Sequence, residues 1–209
     1  MTRIILTLSL IVSLFWLLLP QAVYVVSWLV GLLFRVHVPW RPFAWAGMAL
    51  LALWWAIFLY GNRVGRFRSE VKPVEYAHTT VPAAFDGYRI VHISDLHLDG
   101  WSGHAEQLRR VVERINALEP DLVVFTGDLV SFNYREIAPF SDILASLKGT
   151  DGVVSILGNH DYDPYEAGLS PQERQRMVDT LVAVQRDVLG WTPLLNEHRT
   201  IRRSTDSLA

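Results

Sequence analysis

The first sixty residues contain no acidic side chain and only three formal charges, Arg3, Arg35 and Arg41, along with six of the chain's eight tryptophans. A stretch so poor in charge has to be covered by protein or by lipid. Ile4 to Phe34 is apolar apart from scattered hydroxyls and the interruption Pro20-Gln21. As a helix it would be about 46 Å long against about 30 Å of bilayer hydrocarbon, so it must tilt, kink or bend back. Divided at Pro20, each part falls short of the roughly 17 residues a span needs, which favours one long span kinked near the proline. Phe43 to Tyr60 forms a second span without a charge, with Trp40, Trp45 and Tyr60 near its ends as interfacial anchors. A cleavable signal peptide fits the first segment less well, because no small-x-small site follows it and a second span does.

The domain plan read from this pattern is an anchor over 1–60 with spans at about 4–34 and 43–60, a juxtamembrane linker over 61–85, and a soluble domain over 86–209. Arg3, Arg63, Arg66, Arg68 and Lys72 lie on one side of the bilayer in this arrangement, against Arg35 and Arg41 in the loop, which places both termini in the cytoplasm. From Gly61 onward the chain carries sixteen basic and all 21 acidic residues. That balance suits a soluble domain and carries no nucleic-acid footprint. The absence of cysteine excludes disulfides, thiolate chemistry and Cys-ligated zinc.

Within the soluble part, β-rich runs alternate with helical periodicity. Tyr88 to Ile93, Asp121 to Phe125 and Val153 to Leu157 read as strands. His104 to Leu118, Glu136 to Leu147 and Pro171 to Leu189 read as helices, the last with Met177, Leu181, Val184 and Val188 on one face. Pro193 to Leu195 and Thr200 to Leu208 read as two further strands joined by a turn at Asn196-Glu197. The order βαβαβα predicts an α/β fold with a mainly parallel sheet covered by helices.

Each predicted parallel strand runs directly into a cluster of potential ligands. Ser94-Asp95-Leu96-His97 follows the first, Gly127-Asp128 the second, and Gly158-Asn159-His160-Asp161 the third. Ligands bind at the carboxyl ends of strands in open α/β sheets, so three loops distant in sequence should converge there. Asp95 and His97, two apart in an extended segment, point the same way and offer a carboxylate and an imidazole to one cation. Asp128 has two oxygens with which to bridge two cations, and Asn159 offers a neutral amide oxygen to a second metal. His160 is then left as a proton donor. Singly, Asp-x-His and Gly-Asp are ordinary turn sequences. Their occurrence in order, each at a strand end, is what gives them weight.

The stretch from Gly87 to Ile201, above all HISDLHL, DLVVFTGDLV and ILGNHDY, resembles the calcineurin-like metallophosphoesterases, and within them the membrane-anchored bacterial branch of the YaeI/YkuE type. The resemblance implies the first half of a metallophosphoesterase α/β sandwich that holds two divalent metal ions, Mn, Fe or Zn. Asp95 and His97 would bind one ion, Asp128 would bridge both, and Asn159 would bind the second. His160 would stabilise or protonate the leaving oxygen, with Asp161 holding its imidazole tautomer. The implied activity is hydrolysis of a phosphoester or pyrophosphate bond at the bacterial inner membrane, with the catalytic domain in the cytoplasm. A phosphorylated small molecule or a lipid-linked substrate is the expected partner, together with membrane lipids. The family pattern continues with a Gly-His and a Gly-His-x-His that are not present here, and His198 lacks the preceding glycine. The sequence therefore reads as a fragment truncated at its C-terminus. The alternative from another class is a non-catalytic membrane protein without the C-terminal metal-binding histidines.

Overall fold

A computed structural model describes residues 2–162 and 168–208, in two compact units, Met1–Arg68 and Ser69–Ala209. The first unit is a pair of helices, α1 (Thr2–Phe34) and α2 (Arg41–Arg63). α1 is continuous through Pro20. At that level Gly47 of α2 faces the proline. A Cβ on Gly47 would stand 3.5 Å from the Leu17 carbonyl oxygen and 3.7 Å from Pro20 Cγ, so the missing side chain brings the two helices close. The polar Gln21 is satisfied by Trp40, whose indole donates to Oε1 at 2.8 Å. On the outer face Leu10, Ile11, Leu14, Phe15 and Leu18 are all more than half exposed, an apolar surface too extensive for a water-facing helix. Both helices are long and apolar enough to cross a bilayer.

The second unit is built on four strands, β1 (Ile90–Ile93), β2 (Leu122–Phe125), β3 (Val153–Ser155) and β4 (Thr192–Pro193), all parallel and in the order β1-β2-β3-β4. This is the expected α/β architecture. The register sets Ile93 beside Phe125, Phe125 beside Ser155, and Ser155 beside Pro193, so the carboxyl ends are level. α3 (Ala105–Asn116) connects β1 to β2 and buries Leu108, Val112 and Ile115. α5 (Asn159–Tyr162) and α6 (Pro171–Ala183) lie between β3 and β4. The core centres on β2, where Val123 and Phe125 are fully buried.

Three details differ from the sequence reading. The helix expected over Glu136–Leu147 is a 3₁₀ stretch, Tyr134–Phe140, followed by α4 (Ser141–Ala145). Pro139 cannot donate to an i−4 carbonyl, and a capping box of Asn133 and Glu136 starts the tighter turn. After α6 a π-helical turn, Val184–Val188, inserts a residue and rotates the last turn. Val178, Leu181 and Val182 of α6 and Gln185 of the turn are buried, while Val188 at the end of the turn is 53% exposed. Lastly, Pro193 joins the parallel sheet, its successor Leu194 donating to the Ser155 carbonyl, and the terminal hairpin pairs β5 (Ile201–Arg203) with β6 (Asp206–Leu208) around Ser204-Thr205.

The hairpin is tied to the amino ends of the strands. Arg203 pairs with Asp121 and stacks over the Tyr88 ring, whose hydroxyl donates to Asp151 Oδ2 at 2.7 Å. The Arg89 amide, donating to Asp121 at 2.7 Å, and the Arg203 guanidinium hold the Asp121 carboxyl below its ordinary range. A carboxyl depressed in the folded state stabilises above its unfolded pKa of about 3.9 and loses that contribution as pH falls through its folded value. Asp121→Asn should thus cost on the order of 1 kcal/mol at pH 7. The gap from the parent should close as pH is lowered below about 4, as read from urea titrations of β2 amide NMR intensities.

Candidate metal centre

Beyond the carboxyl ends of β1, β2 and β3 the three loops are locked to one another by backbone contacts. Asp95 N donates to the Gly127 carbonyl at 3.0 Å, His97 N to the Asp128 carbonyl at 3.0 Å, and Leu98 N to the Leu129 carbonyl at 3.1 Å. A Cβ on Gly127 would fall 2.3 Å from Gly158 N, and one on Gly158 would fall 2.2 Å from Asp128 Oδ1. The two glycines are thus demanded by contact between the second and third loops, beyond any turn preference. The backbone is left-handed at Asp95 (φ 55°), His97 (φ 45°) and Asp128 (φ 57°). Non-glycine residues in that region cluster at functional sites, where surrounding structure holds them.

These left-handed turns are the reason Asp95 and His97 meet. Because β1 ends at Ile93, their convergence does not come from strand alternation, as the spacing had suggested. Asp95 Oδ1 lies 3.9 Å and Asp128 Oδ2 3.7 Å from His97 Nε2. Across the site the rings of His97 and His160 meet edge to face with centroids 4.7 Å apart. Among the described residues, one group of potential metal donors lies within 4.8 Å of one another, drawn from His97, Asp128 and His160. Imidazole nitrogen with carboxylate oxygen is a donor set for Zn, Mn or Fe. The carboxylate-to-imidazole gaps are too long for hydrogen bonds. They are close to what two donors show when each sits about 2.0–2.2 Å from a shared ion. The residues present fit a divalent cation.

Asp128 is buried, and its Oδ1 accepts the His160 amide at 2.9 Å, which leaves Oδ2 toward His97. Asn159 opens α5 with its side chain exposed, immediately before His160. His160 Nδ1 lies 3.0 Å from the Ser131 carbonyl, an acceptor, so Nδ1 carries the proton. Asp161 has a different task from the one expected. Its carboxylate accepts from the amides of Gly158 at 3.0 Å, Leu129 at 3.0 Å and Val130 at 3.2 Å. Successive residues of a helix do not face each other, so the imidazole next in sequence is oriented by the Ser131 carbonyl. Burial, opposed by the amides of Gly158 and Val130, leaves the Asp161 carboxyl above its ordinary range. The sequence reading missed Ser131, whose main chain acts and whose side chain gives no signal. His92 is a sheet residue bonded to Thr126 at 2.7 Å, and His198 is exposed.

The pattern of the calcineurin-like phosphoesterase family matches residues 88–204, more than half of the chain, and the chain belongs to that family. It is similar to the uncharacterized metallophosphoesterase YkuE of Bacillus subtilis, 38% identical over 87 residues that make up 41% of this chain and 30% of that protein. UDP-2,3-diacylglucosamine pyrophosphatase LpxG of Chlamydia trachomatis is 40% identical over 114 residues, 53% of this chain and 32% of LpxG. A transmembrane protein with metallophosphoesterase domain of Danio rerio is 34% identical over 93 residues, 44% of this chain and 21% of that protein. The chain thus spans roughly a third or less of the length of these relatives. No solved structure gives a significant match.

The contact between the second and third loops gives a direct test. Gly158→Ala puts a methyl group where Asp128 Oδ1 now lies and must displace the carboxylate. Calorimetric titration with Mn²⁺ should show affinity reduced by about 10–100-fold, while far-UV circular dichroism stays that of the parent.

Proposed function

We propose that this member of the calcineurin-like phosphoesterase family is a membrane-anchored, metal-dependent hydrolase of a phosphoester or pyrophosphate bond. Residues 1–60 form its anchor, 61–85 a linker, and 86–209 the part that carries the site, on the cytoplasmic face of a bacterial inner membrane. The observation that carries this reading is the convergence of His97, Asp128 and His160 beyond the level carboxyl ends of three parallel strands, on backbone held left-handed at two of the three.

Asp95 and His97 would hold one divalent ion, Asp128 would bridge it to a second, and Asn159 would complete the second ion's protein ligands. Bound cations would supply Lewis acidity at the phosphoryl oxygens and activate a water for attack. With its Oδ1 fixed by the His160 amide, Asp128 cannot swing away when ions or substrate come and go. His160 donates Nδ1–H to Ser131 and presents Nε2 to the site, so acting as an acid requires a second proton, on Nε2, which passes to the leaving oxygen. Asp161 keeps the third loop pressed against the second through its three amide bonds.

For the substrate, a lipid-linked pyrophosphate is favoured by two observations together. Two apolar helices are long enough to hold the domain at a bilayer, and a relative similar over 53% of this chain, at 40% identity, is a UDP-2,3-diacylglucosamine pyrophosphatase. A non-catalytic membrane protein that binds one ion finds support in the same donor group, which gathers three ligands at one place. Mutagenesis separates the readings. Asp128→Asn should abolish hydrolysis by orders of magnitude with the fold retained, and hydrolysis that survives it refutes the bridging role. His160→Ala should slow substrates with poor leaving groups by about 10²–10⁴-fold and p-nitrophenyl esters far less. Equal losses on both would make His160 a binding residue.

A further inference from the structure

We propose that Glu136 is a positioning residue for the centre, acting on the His160 imidazole through the peptide group between Ser131 and Phe132. The Glu136 carboxylate lies in the 3₁₀ stretch that follows the second motif and accepts four backbone hydrogen bonds. Oε2 takes the amides of Asp99 at 2.9 Å and Ser131 at 2.8 Å, and Oε1 takes those of Phe132 at 2.6 Å and Asn133 at 3.1 Å. Asp99 belongs to the first loop, two residues beyond His97 in the turn Leu98–Trp101, while the other three belong to the second loop. One side chain thus joins the loop that presents His97 to the loop that follows Asp128.

The bond to Phe132 is the shortest of the four, and its peptide partner is informative. The Phe132 N–H and the Ser131 carbonyl belong to the same planar peptide unit, on opposite edges. On one edge the unit donates to the Glu136 carboxylate, and on the other it accepts from His160 Nδ1 at 3.0 Å. An anion on the N–H side draws the amide proton and leaves more negative charge on the carbonyl oxygen, which strengthens the acceptor that the imidazole sees. Carboxylates that orient functional histidines usually touch the ring. Here the carboxylate acts one peptide away, in the place that sequence adjacency had given to Asp161.

In its catalytic consequence the proposal rests on the phosphoesterase reading, whereas its structural content does not. The test is Glu136→Gln in the full chain, which keeps the size but turns an NH₂ group toward two of the four amide donors. Amide exchange at Asp99 and at Ser131, Phe132 and Asn133 should accelerate about tenfold while that of β2 is unchanged. The His160 Nδ1–H signal, assigned by its loss in His160→Ala, should move upfield as its hydrogen bond weakens. Mn²⁺ affinity should fall about tenfold. In a double-mutant cycle, Glu136→Gln should slow a substrate with a poor leaving group far less when His160 is already alanine. An unchanged Nδ1–H signal overturns the proposal. So does loss of protection in β2 together with the loops, which would make Glu136 a support of the whole fold. If the parent neither binds Mn²⁺ nor hydrolyses a phosphoester, the phosphoesterase reading falls, and the exchange and imidazole signals still decide the role of Glu136.

Discussion

The close approach of two glycines, Gly127 and Gly158, is the constraint on which the centre depends. Side chains at these positions would overlap the neighbouring loop, so the loops after β2 and β3 lie backbone against backbone. That contact brings the His160 amide onto Asp128 Oδ1 and sets the height at which His97 meets both. The left-handed backbone at Asp95, His97 and Asp128 is the local cost, about 1–3 kcal/mol per residue at a bulky position. Asp and His are among the side chains that tolerate this region best. The residue types suited to binding a cation are therefore also types that the turns can accommodate.

Charge is distributed unequally between the two ends of the sheet. At the amino ends Asp121 faces Arg203 and an amide, and Asp151 faces Arg203 and the Tyr88 hydroxyl. At the carboxyl ends, among the described residues, Asp95 and Asp128 have imidazole rings and no arginine or lysine beside them, and Asp161 rests on amides alone. Two of these three carboxylates are buried. Concentrated negative charge in a partly desolvated cleft, unmatched by arginine or lysine, is balanced most directly by a bound cation. The same chain thus uses Arg–Asp pairing at the amino ends of the strands and leaves acids without an arginine or lysine partner at the carboxyl ends.

What could be read from the sequence followed from how local each signal was. Strands β2 and β3 are legible because continuous apolar runs followed by Gly-Asp or Gly-Asn state both burial and turn in a few residues, and β1 because a short β-rich run leads into Ser94-Asp95. Their parallel order followed from the helices between them. β4 departs from the expected hairpin because Thr192-Pro193 is too short to show a period and pairs with a strand almost forty residues earlier. The 3₁₀ stretch and the π-helical turn escaped for a similar reason: a helical apolar pattern fixes a face and says little about the hydrogen-bond step beneath it. The six candidate residues all lie just beyond the carboxyl ends of β1, β2 and β3, yet the geometry that joins Asp95 to His97 is left-handed backbone, which the sequence does not spell out for residues other than glycine.

The exchange of roles between Asp161 and Glu136 shows where side-chain logic fails and main-chain logic takes over. Asp161 stands next to His160 in sequence, and in a helical turn that adjacency points the two side chains about 100° apart. It serves the loop instead, through amides of Gly158, Leu129 and Val130. Glu136 is twenty-four residues from His160, in a segment whose pattern announces nothing more than a helix start, and reaches the imidazole through a peptide that any residue pair without proline at 132 would supply. Both carboxylates act on backbone amides, and an amide has no signature in the sequence. A centre whose ligands are side chains but whose supports are main chain will therefore always show its ligands first, and its supports only when the loops are folded against each other.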